Sequence, residues 1–84
     1  MVLTVDRMVP IDELTAEVVR AAMKRAGATI DSVSEATGIA PTTLKRRLKG
    51  TSSFRLDEIY RIAKALGVEY HQLIPAASRA RGAA

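Results

Sequence analysis

An all-α fold of five short helices is predicted for this 84-residue chain, and three observations predict it. Apolar residues recur at three- and four-residue spacing in separate blocks, which is the period of an amphipathic helix. Glycines and prolines punctuate those blocks at Pro10, Gly27, Gly38, Pro41, Gly50, Gly67 and Pro75, where helices start and stop. The stretch Thr29 to Gly50 reads as two short helices joined by a tight turn. Length allows one small domain with a modest core.

The elements follow in order. Residues 1–10 form a short N-terminal strand or arm; Val2-Leu3-Thr4-Val5 is too short to classify further. Pro10 suits a helix start. From Ile11 to Ala26, Ile11, Leu14, Val18, Ala22 and Ala26 recur at helical spacing, with Val19 on the flank. Glu13, Glu17, Arg20 and Lys24 fall opposite, acids early and bases late, as the helix dipole prefers. Gly27 stops this first helix.

Thr29 caps the second helix, Ile30 to Thr37, and Asp31 suits its positive end. Gly38 ends it, because a left-handed residue costs glycine nothing. Pro41 opens the third helix at the position where a missing N–H is harmless. That helix, Pro41 to Lys49, turns only Leu44 and Leu48 inward and carries Thr42, Thr43, Lys45, Arg46, Arg47 and Lys49. Gly50 ends it, and the loop Thr51-Ser52-Ser53-Phe54 follows, with Phe54 plugging the core rather than stacking on a base. The fourth helix spans Leu56 to Leu66, with Leu56, Ile59, Ile62, Ala63 and Leu66 facing in and Gly67 capping it. A short fifth helix runs from Tyr70 to Ile74, and residues 75–84, with Arg79 and Arg81, form a basic tail. The folded domain is thus residues 11–74. Its expected core is Val18, Ala22, Val33, Ile39, Leu44, Leu48, Leu56, Ile59, Ile62, Ala63 and Leu66.

Charge is unevenly placed. Of 13 lysines and arginines, five fall between Ala36 and Leu56 with no acid among them, while the other eight face all nine acids. The positive excess therefore sits on the third helix and the loop after it, and a polyanion is the natural partner. There are no cysteines, so no disulfide, thiolate metal site or thiol nucleophile exists. The one histidine, His71, makes no zinc site alone. No apolar run nears the ~20 residues of a membrane span, and no secretory signal is legible. A cytoplasmic, nucleoid-associated protein is the expectation. No nucleophile elbow, phosphate loop or metal box appears. Asp57 and Glu58, adjacent at a helix start, are explained by the dipole rather than by acid–base work. An enzyme is not expected, nor a cofactor, a metal or a small-molecule ligand.

The stretch around the tight turn resembles the Cro/CI-repressor (XRE-like) helix-turn-helix family. Val33 and Ser34 in the second helix, Gly38-Ile39 in the turn and Leu44 in the third helix carry the match. So does the downstream string Phe54-Arg55-Leu56-Asp57-Glu58-Ile59 with Ile62-Ala63-Lys64-Ala65-Leu66-Gly67-Val68. The resemblance covers roughly Val18 to Ile74 and implies a five-helix lambda-repressor-like domain. The family usually has alanine where Ser34 stands, often glutamine where Ile30 stands, and an apolar residue where Arg47 stands. Here Leu48 takes that inward role one residue later, which leaves open whether Arg46 or Arg47 meets bases.

The resemblance implies a sequence-specific binder of double-stranded DNA, a small phage-type or bacterial transcriptional repressor that occupies an operator. The third helix would read the major groove. Base-contacting candidates are Pro41, Thr42, Lys45, Arg46 and Arg47; arginine or lysine suits guanine O6/N7, and the threonine methyl suits thymine. Phosphate-contacting candidates are Thr29, Thr43, Lys49, Ser52, Ser53 and Arg55. A homodimer, formed in solution or only on DNA, is expected on a pseudo-palindrome, meeting through Tyr70, Leu73 and Ile74 in preference to the arm residues Val2, Leu3 and Val5. Two other classes stand beside this one. One is a protein-binding module that keeps the same shape, such as an antitoxin-like partner. The other is an excision or architectural factor that bends DNA. A steep loss of DNA affinity with salt separates a DNA binder from a protein-binding module.

Overall fold

A computed structural model describes residues 11–75. The expected arm, and the tail beyond Pro75, lie outside the described residues. Four α-helices follow one another: α1 Ile11–Ala26, α2 Ile30–Thr37, α3 Pro41–Leu48 and α4 Leu56–Leu66. A single 3₁₀ turn, Tyr70–Leu73, closes the domain. No strand occurs among the described residues.

The expected fifth helix is therefore corrected to a 3₁₀ turn. Gly67 leaves α4 in the left-handed region at φ 73°, Glu69 is extended, and Pro75 disfavours helical backbone at Ile74, which is extended too, so only Tyr70–Leu73 are left to turn. The Glu69 N–H donates to Gln72 Oε1 at 2.8 Å and the Ile74 N–H to the His71 carbonyl at 3.2 Å, which satisfies the turn locally. Pro75 itself is buried.

α2 packs on α3 and α4, while α1 packs across α3 and the 3₁₀ turn. The core they enclose is Val19, Ala22, Met23, Val33, Ile39, Leu44, Leu48, Ile59, Ile62, Ala63 and Leu73, with Phe54, Leu66 and Ile74 packed against it. Leu44, Ile62 and Leu73 are fully buried, and so are Val19 and Val33.

Two helix faces differ from expectation. On α1 the buried positions are Ala16, Val19, Ala22 and Met23, whereas Val18 is half-buried and Ile11 and Ala26 are exposed. The helix carries two apolar seams at helical spacing. The one with Ala16 and Ala22 is the buried one, and Val19 and Met23 fill the space beside those small side chains. On α4, Leu56 is 73% exposed and not a core residue. The cause is Glu58, which is buried beside Ile59, Ile62 and Ala63. Turning Glu58 inward rotates the helix so that Leu56, a quarter turn from the centre of the buried stripe, faces out.

Gly50 joins α3 to α1. Its φ is +81°, and a Cβ there would meet Glu13 Cγ at 3.1 Å and Glu13 Cα at 3.2 Å. Gly50→Ala is expected to cost about 2 kcal/mol, from the left-handed backbone and the close approach together. A thermal melt checks this; an unchanged midpoint would contradict the α3–α1 contact.

Candidate nucleic-acid interface

The interface is built from the turn outward. Thr29 caps α2 as its sequence position requires. The Ser32 N–H donates to Thr29 Oγ1 at 3.0 Å, and the Thr29 N–H donates back to Ser32 Oγ at 2.9 Å. This reciprocal box leaves the next amides, on Ile30 and Asp31, free of intrahelical partners. At the other end Gly38 adopts φ 81° and donates its N–H to the Ser34 carbonyl at 2.9 Å. Ser34, where the resembled family has alanine, donates its hydroxyl to the Ile39 carbonyl at 2.6 Å. Thr37 Oγ1 donates to the Val33 carbonyl and accepts from the Ile39 N–H. Two hydroxyls thus rivet the turn and fix the angle at which α3 leaves α2.

α3 presents its polar side outward. Pro41, Thr42, Lys45, Arg46 and Lys49 are exposed and Thr43 is half-buried. Lys45, Arg46 and Lys49 enter no ion pair among the described residues. Thr42, Lys45, Arg46 and Lys49 stand at i, i+3, i+4 and i+7, which places them along one helical face. Only Leu44 and Leu48 anchor this helix in the core. Its C-terminal end is held by Arg20 of α1, whose Nη1 donates to the Leu48 carbonyl.

Arg47, expected among the base contacts, does not stand on that face; its side chain turns back toward α4. Its Nε donates to Glu58 Oε1 at 2.9 Å, Nη2 to Glu58 Oε2 at 3.1 Å, and Nη1 to Ser52 Oγ at 2.9 Å. The two side chains are 15% and 9% exposed. Glu58 Oε1 also accepts the Arg55 N–H at 2.9 Å, so one carboxylate caps α4 and holds α3. Burial pushes the Glu58 carboxyl up, but the Arg47 hydrogen bonds, the Arg55 N–H and the Arg47 charge outweigh it, and the net shift is downward. Arg47 is shifted upward, chiefly by its hydrogen bond to Glu58. The pair stays ionised. It stands where the resembled family has an apolar contact, and a bidentate ion pair replaces that contact.

The expected phosphate set divides in the same way. Ser52 is occupied by Arg47, and Ser53 Oγ donates to the Asp12 carboxylate of α1, 2.8 Å from each oxygen. Both hydroxyls fasten the loop to the body of the domain. Thr29, Lys49 and Arg55 are exposed. Arg55 Nε lies 3.2 Å from Asp57 Oδ1, an open pair between side chains 73% and 48% exposed, which leaves the guanidinium available to solvent anions. Of the expected dimer contacts, Leu73 is wholly buried and forms part of the core. Tyr70 is exposed and Ile74 half-buried. Among the described residues no group of histidines and acids is placed to hold a metal.

Residues 19–75 match the family model of the Cro/C1-type HTH DNA-binding domain, well over half of the chain. The chain belongs to this family. It is accordingly a DNA-binding helix-turn-helix regulator. No curated protein and no solved structure matches it. Within the matched Cro/C1-type segment, α2, the turn and α3 form the helix-turn-helix. Among the described residues no helix is long and apolar enough to cross a membrane.

The Arg47–Glu58 pair is the feature that reading the chain alone missed. Its signal was present in two places: a cation at a usually apolar position, and an acid eleven residues on that the dipole seemed to explain.

Proposed function

We propose that this Cro/C1-type protein is a repressor that inserts α3 into the major groove of an operator and blocks transcription by occupancy. The observation that carries the reading is the outer face of α3, where Thr42, Lys45, Arg46 and Lys49 stand exposed with no acid on the helix. Arg46, near the middle of that face, reads a base, with Thr42, Lys45 and the apolar edge of Pro41 beside it. Lys49, Thr43, Arg55 and the N-terminus of α2 at Thr29 hold phosphates and fix the register. One such helix reads only a few base pairs, which is too little to find a site in a genome. Two copies on a pseudo-palindrome, with recognition helices about one turn or ~34 Å apart, supply the rest.

Selection of bound duplexes from random DNA tests this reading, followed by titration on the selected site at several salt concentrations. A palindromic motif and a steep salt slope are expected. Enrichment of no sequence, with flat salt dependence, would favour a protein-binding module instead. On the selected site, Arg46→Ala is expected to lose about 1–3 kcal/mol of discrimination at one base pair, while Lys49→Ala weakens matched and mismatched sites alike. If Arg46→Ala weakens both equally, Arg46 contacts the backbone and not a base.

A further inference from the structure

Thr43 and Arg55, both expected to hold phosphate, stand on different elements, and the fold sets them on one polar hollow of about 370 Å³. Its walls are the turn at residues 38–40, the start of α3 and the first turns of α4. α4 adds Arg61, which was not among the expected contacts. One carboxylate joins the two arginines. Arg55 Nε donates to Asp57 Oδ1 at 3.2 Å, and Arg61 Nη2 lies 3.3 Å from Asp57 Oδ2. All three side chains are open to solvent. Glu58 is the other acid on the hollow, and its oxygens are taken by Arg47 and by the Arg55 N–H. Two guanidiniums therefore share one carboxylate, and the hollow keeps a net positive charge. A guanidinium carries five N–H donors, so most of those on Arg55 and Arg61 stay open to a second acceptor.

We propose that this hollow is a phosphodiester site for bound DNA, in which Arg55 and Arg61 together hold one backbone phosphate and Asp57 is the positioning residue that keeps the two guanidiniums side by side. The proposal rests on the DNA reading above and adds Arg61 and Asp57 to it. The helical period places Thr43 about 100° round α3 from Thr42. With α3 in the major groove, Thr42 faces the bases, so Thr43 faces a wall of the groove, and that wall is a phosphate backbone. The hollow opens on this flank of α3. A guanidinium fork matches two phosphate oxygens, and two forks held by one carboxylate lose less freedom on binding than two unheld ones. The negative charge of Asp57 opposes a phosphate, but both of its oxygens face guanidinium N–H groups. An open, shallow hollow buries too little of a small phosphate ester to hold it alone, which favours a phosphate delivered by a duplex already bound through α3.

Neutral methylphosphonate linkages, placed one at a time along the selected operator duplex, test the site. At one position per half-site the parent should lose roughly tenfold in affinity, as loss of a charge-assisted contact implies. Arg61→Ala should lose about as much on the unmodified duplex. It should then be indifferent to methylphosphonate at that one position while staying sensitive at the others, and its salt slope should fall by about one.

Asp57→Asn separates positioning from charge, because the two predict opposite signs. Removing a negative charge beside DNA strengthens binding if charge alone counts. If Asp57 holds the arginines, the substitution weakens binding and blunts the methylphosphonate effect at the same linkage. Both side chains are exposed, so the melting midpoints of the two variants should move little, and thermal melts separate loss of fold from loss of contact. Full affinity in Arg61→Ala, or an undiminished methylphosphonate effect at every linkage, would overturn the site. Unchanged or tighter binding by Asp57→Asn would overturn the positioning role. A parent with no salt slope and no methylphosphonate effect at any linkage would overturn the DNA reading itself.

Discussion

Leu44→Ala is expected to be the most damaging single substitution in α3, lowering stability by about 2–5 kcal/mol. Leu44 is fully buried, at the point where α3 meets the core. Only Leu48 shares its work on that helix, so the cavity has no neighbouring apolar side chain on α3 to collapse into it. A domain of this length has ~5–10 kcal/mol in total, so the variant should melt more than about 10 °C earlier. Leu44→Met keeps the volume and should cost under ~1.5 kcal/mol. Urea titration followed by circular dichroism measures both. Equal stability of the alanine variant and the parent would contradict the burial of Leu44.

Glu58→Ala should cost about 3 kcal/mol, because it strands the Arg47 guanidinium in a half-closed site and removes the acceptor for the Arg55 N–H. Replacing both members, Arg47→Met with Glu58→Leu, should recover most of that loss, since an apolar pair of similar volume needs no compensating charge. No recovery in the double variant would mean that the carboxylate matters chiefly as the cap of α4. Acid should reveal the same pair. The Glu58 carboxyl titrates lower in the fold than in the unfolded chain, where the ordinary value is about 4.3. Its stabilising contribution is therefore complete above that ordinary value and is lost as pH falls below it, through the depressed folded value. The parent should lose stability over that acid window more steeply than Glu58→Gln. Parallel pH profiles for the two proteins would refute the linkage.

The consequence for DNA binding follows from the thinness of the α3 seam. Two leucines hold the helix down but specify its rotation about its own axis weakly. The bidentate clamp from Arg47 to Glu58 and the Arg20 contact on the Leu48 carbonyl fix that rotation. They direct Lys45, Arg46 and Lys49 outward together.

The chain by itself determined most features that depend on neighbouring residues, the last turn excepted. The bounds of α1, α2 and α4 follow from caps and breakers within a few residues: Thr29 before α2, Gly38 after it, Pro41 opening α3, Gly67 closing α4. The inward pair Leu44 and Leu48 follows from helical spacing alone. The charge excess on α3 is a matter of counting. Tertiary structure decided what depends on residues far apart. Two seams on α1 were equally periodic, and the shape of the space against α3 and the 3₁₀ turn chose Ala16, Val19 and Met23. Leu56 left its expected place in the core because the inward turn of Glu58 sets the buried face of α4, and Leu73 is buried because the last turn packs on α1 and α4. Arg47 turns away from the outer face of α3 because a carboxylate eleven residues away, brought alongside by the loop, offers a partly buried cation two charge-assisted hydrogen bonds. Solvent offers a partly buried charge no comparable compensation.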